Sequence, residues 1–257
     1  MLDNRRLESI RDDVLKSVHG QMGIGTLKEK TVHMVLKKYY EDDIDYHEVA
    51  IDKYVADICR GNNIIEIQTG NFNKMRDKLE VFLKDYSVTI VYPIPCQKWL
   101  NWIDKDSLEV KSRRKSPKKG TPYQAFYELY KIKNYLKHPN LHLKIVMLDV
   151  EEYRLLNGWS EDKKRGSVRY DRIPLRIDQE IDIDDIKDYM QLIPYDLPEE
   201  FLAKDYAKVA KLTPRKASAA LNILSYLNLI QKIGKKRNAF VYQVVEGWGS
   251  SEDWCRL

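Results

Sequence analysis

The 257-residue chain has three cysteines, Cys59, Cys96 and Cys255, far apart and without a CxxC pair. That spacing argues against a disulfide framework and against paired-thiolate zinc binding, and it suits a reducing cytoplasm. No run of about 18 apolar residues occurs, so no membrane-crossing helix is expected. The opening MLDNRRLESIRDD is charged and lacks the apolar centre of a secretory signal. Gly23-Ile24-Gly25 has neither a preceding strand nor the lysine–serine pair of a phosphate-binding loop. No repeat shows at solenoid periods. What is there is a globular composition, 43% apolar and 32% charged, long enough for one large domain or two smaller ones.

Net charge is only +5, but it is unevenly spread. KSRRKSPKK, from Lys111 to Lys119, contains Arg113, Arg114 and Lys115 and no acid, and Lys235-Lys236-Arg237 forms a second cluster. Basic patches of this kind suit a polyanion, because phosphate contacts release counterions; as charge runs alone they also read as solvated loops.

Hydrophobic spacing predicts a helix from Arg5 to about Met22 and a second, capped by Thr26, ending near Tyr40. YHEVAI, KYVADI and NIIEIQT then read as three strands of a meander, followed by a helix over Asn73–Lys84 and a buried strand, SVTIVYPI. KWLNWIDKDSLEVKSRRKS reads as a hairpin, PYQAFYELYKIKNYL as one helix with proline in its first turn, and LHLKIVMLDV as another buried strand. Residues 151–180 are mixed and polar and receive no assignment. The expected class is mixed α/β.

Prolines in LIPYDLPEE mark a linker. Beyond it, a helix over Lys204–Lys211, a helix begun by Thr213-Pro214, and the strands LIQKI and FVYQVV around GKKRNA resemble a winged helix-turn-helix domain. In such a fold the second helix enters the major groove of DNA, which directs Arg215, Lys216, Ser218, Ala219 and Asn222 outward and puts Lys235, Lys236 and Arg237 at the wing tip. A winged helix that contacts protein instead is the alternative. The division expected is an N-terminal helix (1–22), a domain over 23–194, the winged helix over 195–247 and a tail over 248–257.

YVADICRGNNIIEIQTGNF contains Asp57 before a Gly-Asn-Asn turn and Glu66 and Gln68 after it. Strand alternation puts Glu66 and Gln68 on one face, with Asp57 on the neighbouring strand. Two carboxylates there can share magnesium with phosphate and water; the plainer account is a pair of polar strand residues. Asn71 and Asn73 open the next helix as caps or as contacts to a phosphate. His33, beside the packed stripe, and His47 and Glu48 are lesser candidates.

The helix, three-strand meander, helix and strand from Thr26 to Ile94, with Asp57 and Glu66-Ile67-Gln68, resemble the PD-(D/E)XK restriction-endonuclease-like nuclease superfamily in its E-x-Q variant. The resemblance implies Mg2+ or Mn2+ held by Asp57 and Glu66. It also implies a water-positioning Gln68, a further acid at Glu29, and a lysine moved to the next helix at Lys74 or Lys78. The wider chain resembles bacterial proteins that carry EKTVH, VADI and EIQT-NFNK and have no established activity.

The expectation is therefore a metal-dependent deoxyribonuclease acting on duplex or structured DNA, with the 111–119 loop gripping the backbone. A homodimer and an RNA substrate are compatible with it. Glutamine in place of lysine supports the alternative, a non-catalytic DNA-binding protein on a degenerate nuclease fold.

Overall fold

A computed structural model of the chain describes residues 2–21, 30–104, 109–155 and 168–245. Helices α1 (Asn4–Gln21) and α2 (Thr31–Tyr40) bury Leu7, Val14, Val32, Val35 and Leu36 on one side of a seven-stranded sheet. The first strands are β1 (His47–Ile51), β2 (Tyr54–Arg60) and β3 (Asn63–Ile67), paired antiparallel as a meander. A 3-10 turn at Phe72–Met75 and α3 (Arg76–Phe82) then lead to β4 (Ser87–Ile103), parallel to β3. β5 (Val110–Lys115) folds back on the end of β4; β6 (Leu141–Leu155) lies parallel to β4, and β7 (Val168–Ile183) antiparallel to β6. The sheet is mixed and its central strands are apolar on both faces, as parallel pairing between helical layers requires.

The second face is covered by α3, by α4 (Ala125–Leu129) and by the C-terminal elements. These are β8 (Glu200–Leu202), α5 (Ala203–Val209), α6 (Pro214–Tyr226), β9 (Ile230–Lys236) and β10 (Ala239–Val244), with a small sheet ordered β8-β10-β9. One continuous apolar cluster links Phe72, Phe126, Ile145, Phe201, Tyr206 and Leu221, so the C-terminal unit shares its core with the large sheet.

β4 carries Pro93 and Pro95, which have no N–H to donate. They fall where one edge of β4 has no strand neighbour: β3 stops pairing at Val91 and β5 begins at Trp99. Residues 116–120 fill the gap, with Ser116 N donating to Lys98 O (2.8 Å) and Gly120 N to Cys96 O (2.8 Å). A Cβ at Gly120 would meet the Pro95 carbonyl oxygen at 2.1 Å, which explains glycine there.

Several elements differ from their sequence-based outline. The predicted helix from Pro122 is broken into a 3-10 turn (Pro122–Gln124), the five residues of α4 and a 3-10 segment (Tyr130–Tyr135) with Ile132 off helical geometry (φ −116°, ψ 22°). The Asn73–Lys84 helix begins as the 3-10 turn before α3, and β4 and β6 run well past their apolar cores. Within the unassigned polar stretch, 151–155 are the outer end of β6 and 168–180 belong to β7, with charges paired across the two strands, while 156–167 lie outside the described residues. The 111–115 stretch is the exposed edge strand β5 rather than a loop, and Arg113 Nε is paired with Glu151 Oε1 at 2.9 Å. The Thr26 cap and the 248–257 tail lie outside the described residues.

Gly120→Ala is expected to destabilise the protein by about 1–3 kcal/mol, because the clash is with backbone that cannot rotate away. A urea titration checks this through a lowered midpoint at an unchanged slope.

Candidate active site

The β2–β3 ladder runs Arg60↔Asn63, Cys59↔Ile64, Ile58↔Ile65 and then stops. Beyond that point the strands separate, and side chains take over the missing ladder bonds. Asp57 N donates to Glu66 Oε1 (3.2 Å), and Ile67 N donates to Asp57 Oδ2 (2.7 Å). On the other side of β2, the register passes from His47↔Ile58 to Val49↔Ala56 and skips Glu48, which has a left-handed backbone (φ 52°). Asp57 thus lies where β2 parts from β3 and faces the left-handed Glu48 on the β1 side, a local irregularity of the kind often found next to functional groups.

Two helices reach into this opening. From α2, His33 Nε2 donates to Asp57 Oδ2 (3.1 Å), and the buried Lys37 pairs with Glu48. From α3, Lys78 Nζ donates to Glu66 Oε2 (2.7 Å). Glu66 is almost fully buried, while Asp57, His33 and Lys78 keep between 16% and 20% of their side-chain surface exposed.

The two acids differ in charge state. Burial opposes ionisation of Asp57, but the hydrogen bond and charge of His33, the Ile67 amide and the Lys78 ammonium hold its carboxyl below the ordinary range. Burial and repulsion from Asp57 push Glu66 up to about 7 despite Lys78. Splitting the two acidities in this way is how neighbouring carboxylates acquire separate roles.

The structure selects among the sequence candidates. Asp57 and Glu66 come together, and Lys78, not Lys74, meets them; Lys74 is exposed on the 3-10 turn one helical turn away. Gln68 lies just past the end of β3 and its amide donates to Gly70 O, not to the carboxylates. Glu29 lies outside the described residues. Asn71 makes no side-chain cap, and the Phe72 amide next to it is taken by Glu128 Oε2 (2.9 Å), so that amide does not face an anion. Val32 marks the packed stripe of α2, whereas Lys30, His33 and Lys37 form a second, polar stripe at helical spacing that carries His33 to Asp57.

Among the described residues no group of three or more His, Cys, Asp or Glu is placed to hold a metal. The hard-oxygen pair still fits magnesium, which needs only one or two carboxylates beside phosphate and water. Asp57 Oδ1 has no hydrogen-bond partner among the described residues, whereas both Glu66 oxygens are engaged.

The expected DNA-contacting residues are partly tied up. Arg215 and Lys216 of α6 lie over the Tyr127 ring of α4 (5.6 and 5.8 Å to the centroid), and Lys133 Nζ donates to Asn222 Oδ1 (2.9 Å). Arg215, Ser218, Ala219 and Asn222 line a groove of about 410 Å³ between α6 and α4, so α6 does not stand free as a ridge for a major groove. The β9–β10 hairpin is exposed; Lys235 and Lys236 end β9, Arg237 (φ 57°) makes its turn, and Arg114 and Lys115 are exposed on β5.

Residues 30–184, which hold all of this opening, match the family described as "Domain of unknown function (DUF8091)". The chain belongs to that family. An uncharacterized protein of Treponema pallidum (strain Nichols) is 27% identical over 194 residues, covering 73% of this chain and 74% of that one. No solved structure matches the DUF8091 chain. No helix among its described residues is long and apolar enough to cross a membrane.

The weakened acidity of Glu66 has a consequence for stability. Between its ordinary value of 4.5 and about 7 the folded carboxyl keeps a proton that the unfolded chain releases, so stability falls as pH rises through this window. Chemical denaturation at pH 5 and pH 7.5 should show wild type losing roughly 1–3 kcal/mol relative to Glu66→Gln, which has no such proton to lose.

Proposed function

We propose that the Asp57–Glu66–Lys78 opening is the centre of a magnesium-dependent nuclease of the PD-(D/E)XK kind, acting on DNA. One observation carries this reading: Lys78 reaches Glu66 from the helix after the meander, supplying the ammonium that Gln68 cannot. A bound magnesium ion would lower the pKa of water and offset charge on the phosphate. The chain's own groups do the rest. Asp57, kept ionised by His33 and the Ile67 amide, presents Oδ1 as a charged oxygen ligand. Glu66, near neutral pH, exchanges a proton within hydrogen-bond reach of Lys78. Lys78 holds that carboxylate in place and keeps positive charge beside it.

The order helix, meander, helix, parallel strand supports the superfamily reading, and α5, α6 and the β9–β10 hairpin support a winged helix that docks nucleic acid. Because α6 borders α4, docking is assigned to the hairpin with Lys235, Lys236 and Arg237, to β5, and to the α4–α6 groove.

The second reading, a non-catalytic DNA-binding protein, is favoured by the engagement of both Glu66 oxygens, which makes the pair a splint for separated strands.

Plasmid, junction, flap and methylated duplex substrates with Mg2+ or Mn2+ distinguish the two. Cleavage is expected to fall roughly 100-fold or more in Asp57→Asn and Lys78→Ala, a loss of the size seen when one charge-stabilising group is removed, and to survive Lys74→Ala. Absence of cleavage on every substrate, with DNA affinity indifferent to metal and to Asp57→Asn, establishes the second reading.

A further inference from the structure

On the α1/α2 face, the outer halves of β4, β6 and β7 carry an unbalanced set of charges. Glu152 is fully buried, and both its oxygens are taken: Oε1 by Arg154 (Nε, 2.7 Å) and Oε2 by Arg172 (Nε, 2.8 Å). The charge of Arg172, the Arg154 hydrogen bond and nearby Lys98 outweigh the effect of burial and bring this carboxyl down to about 2, so it stays ionised. Two further cations, Lys98 and Arg169, lie in the same field and form no ion pair among the described residues. Burial, reinforced by Arg172, Arg154 and Arg169 against the pull of Glu152, lowers the Lys98 ammonium. The nearby acid Asp171 is committed to the Thr31 amide and hydroxyl. Glu152 and Asp171 act on these cations but are outnumbered by them, and partly desolvated cations in excess of acids are costly to keep, a cost that a bound anion reduces.

A pocket opens beside them. It is lined by Lys30, Thr69, Arg169 and Arg172 over a floor of Leu148 and Val150, with Asp171 at its edge, and has a volume of about 40 Å³. One water needs about 10–15 Å³ by this measure, so the space suits a single tetrahedral anion rather than a nucleoside. It shares α2 with the candidate active site: Val32 lines the pocket, and His33, the next residue, donates to Asp57. Thr69 lies three residues beyond Glu66.

We propose that this pocket seats one phosphate of a nucleic-acid strand, gripped by Arg169 and Arg172 with Lys30 and Lys98 behind them. The inference rests on the nucleic-acid substrate proposed above, and it adds a second phosphate position beside Asp57. A free 5′-phosphate and an internal backbone phosphate present the same chemistry.

The test measures binding in EDTA, so it is independent of cleavage. The full chain is titrated by fluorescence anisotropy against 3′-labelled 20-mers with a 5′-phosphate or a 5′-hydroxyl, single-stranded and duplex, and against a circular single strand as competitor. Arg169→Gln and Lys98→Gln leave Glu152 paired. Each should weaken binding roughly threefold to tenfold at low salt and reduce the log–log salt slope by about one, with Arg169→Lys recovering most of the loss. Loss confined to 5′-phosphorylated strands identifies an end phosphate, and equal loss on circular and hydroxyl-ended strands identifies an internal one. Affinities and slopes equal to those of an exposed control, Lys84→Gln, overturn the proposal, as does a wild-type chain that binds none of these strands. Failure of cleavage with these binding losses intact overturns only the nuclease reading.

Discussion

The parallel pairing of β4 with β6 runs from Val88↔Leu141 to Ile103↔Leu155, and both helical layers are built on it. α1 and α2 pack on one side through Leu7, Val35 and Leu36 against Val91, Val146 and Leu148. On the other side, Phe72, Phe126 and the C-terminal helices pack against Ile90, Ile145 and Met147. Parallel strands need both faces covered, so a long β4–β6 pair carries a helical layer on each side. The outer ends of the same pair outrun the core, and there the apolar residues give way to Lys98, Glu152, Arg154 and Arg172.

This frame also explains why the sheet opens where it does. β3 is held on β4 by five registered pairs up to Ile67↔Val91, while its antiparallel bonds to β2 end at Ile65. Once β2 turns away, backbone donors at Asp57 and Ile67 would be left unpaired in a half-buried place. A carboxylate from the opposite strand satisfies each of them, and a buried unsatisfied donor otherwise costs about 1–3 kcal/mol. The same two acids are thereby held at fixed positions, and the bonds that close the gap leave Asp57 Oδ1 over.

Much of this was legible in the chain. Apolar alternation and turn residues located the meander, and β-branched runs located the inner halves of β4 and β6. Asp57 and Glu66 were marked by their position across the Gly61 turn. β7 was not legible, because its charges satisfy one another across β6 and hide the periodicity that a core-facing strand would show. The helix after Pro122 was misread because its apolar spacing is helical, yet packing against α6 is met by three short pieces with a break at Ile132.

The features readable from the chain are local: most of its helices and strands, the mixed α/β class, and a pair of acids flanking a turn. Periodicity and turn chemistry act over a few residues, so they can be read from a single chain. Long-range packing selects Lys78 over Lys74, brings His33 to Asp57, turns Gln68 away, and sets α6 beside α4. Those outcomes depend on the rotation of each helix about its axis and on where two strands part. Both are set by packing among residues distant in sequence, and no local pattern encodes them.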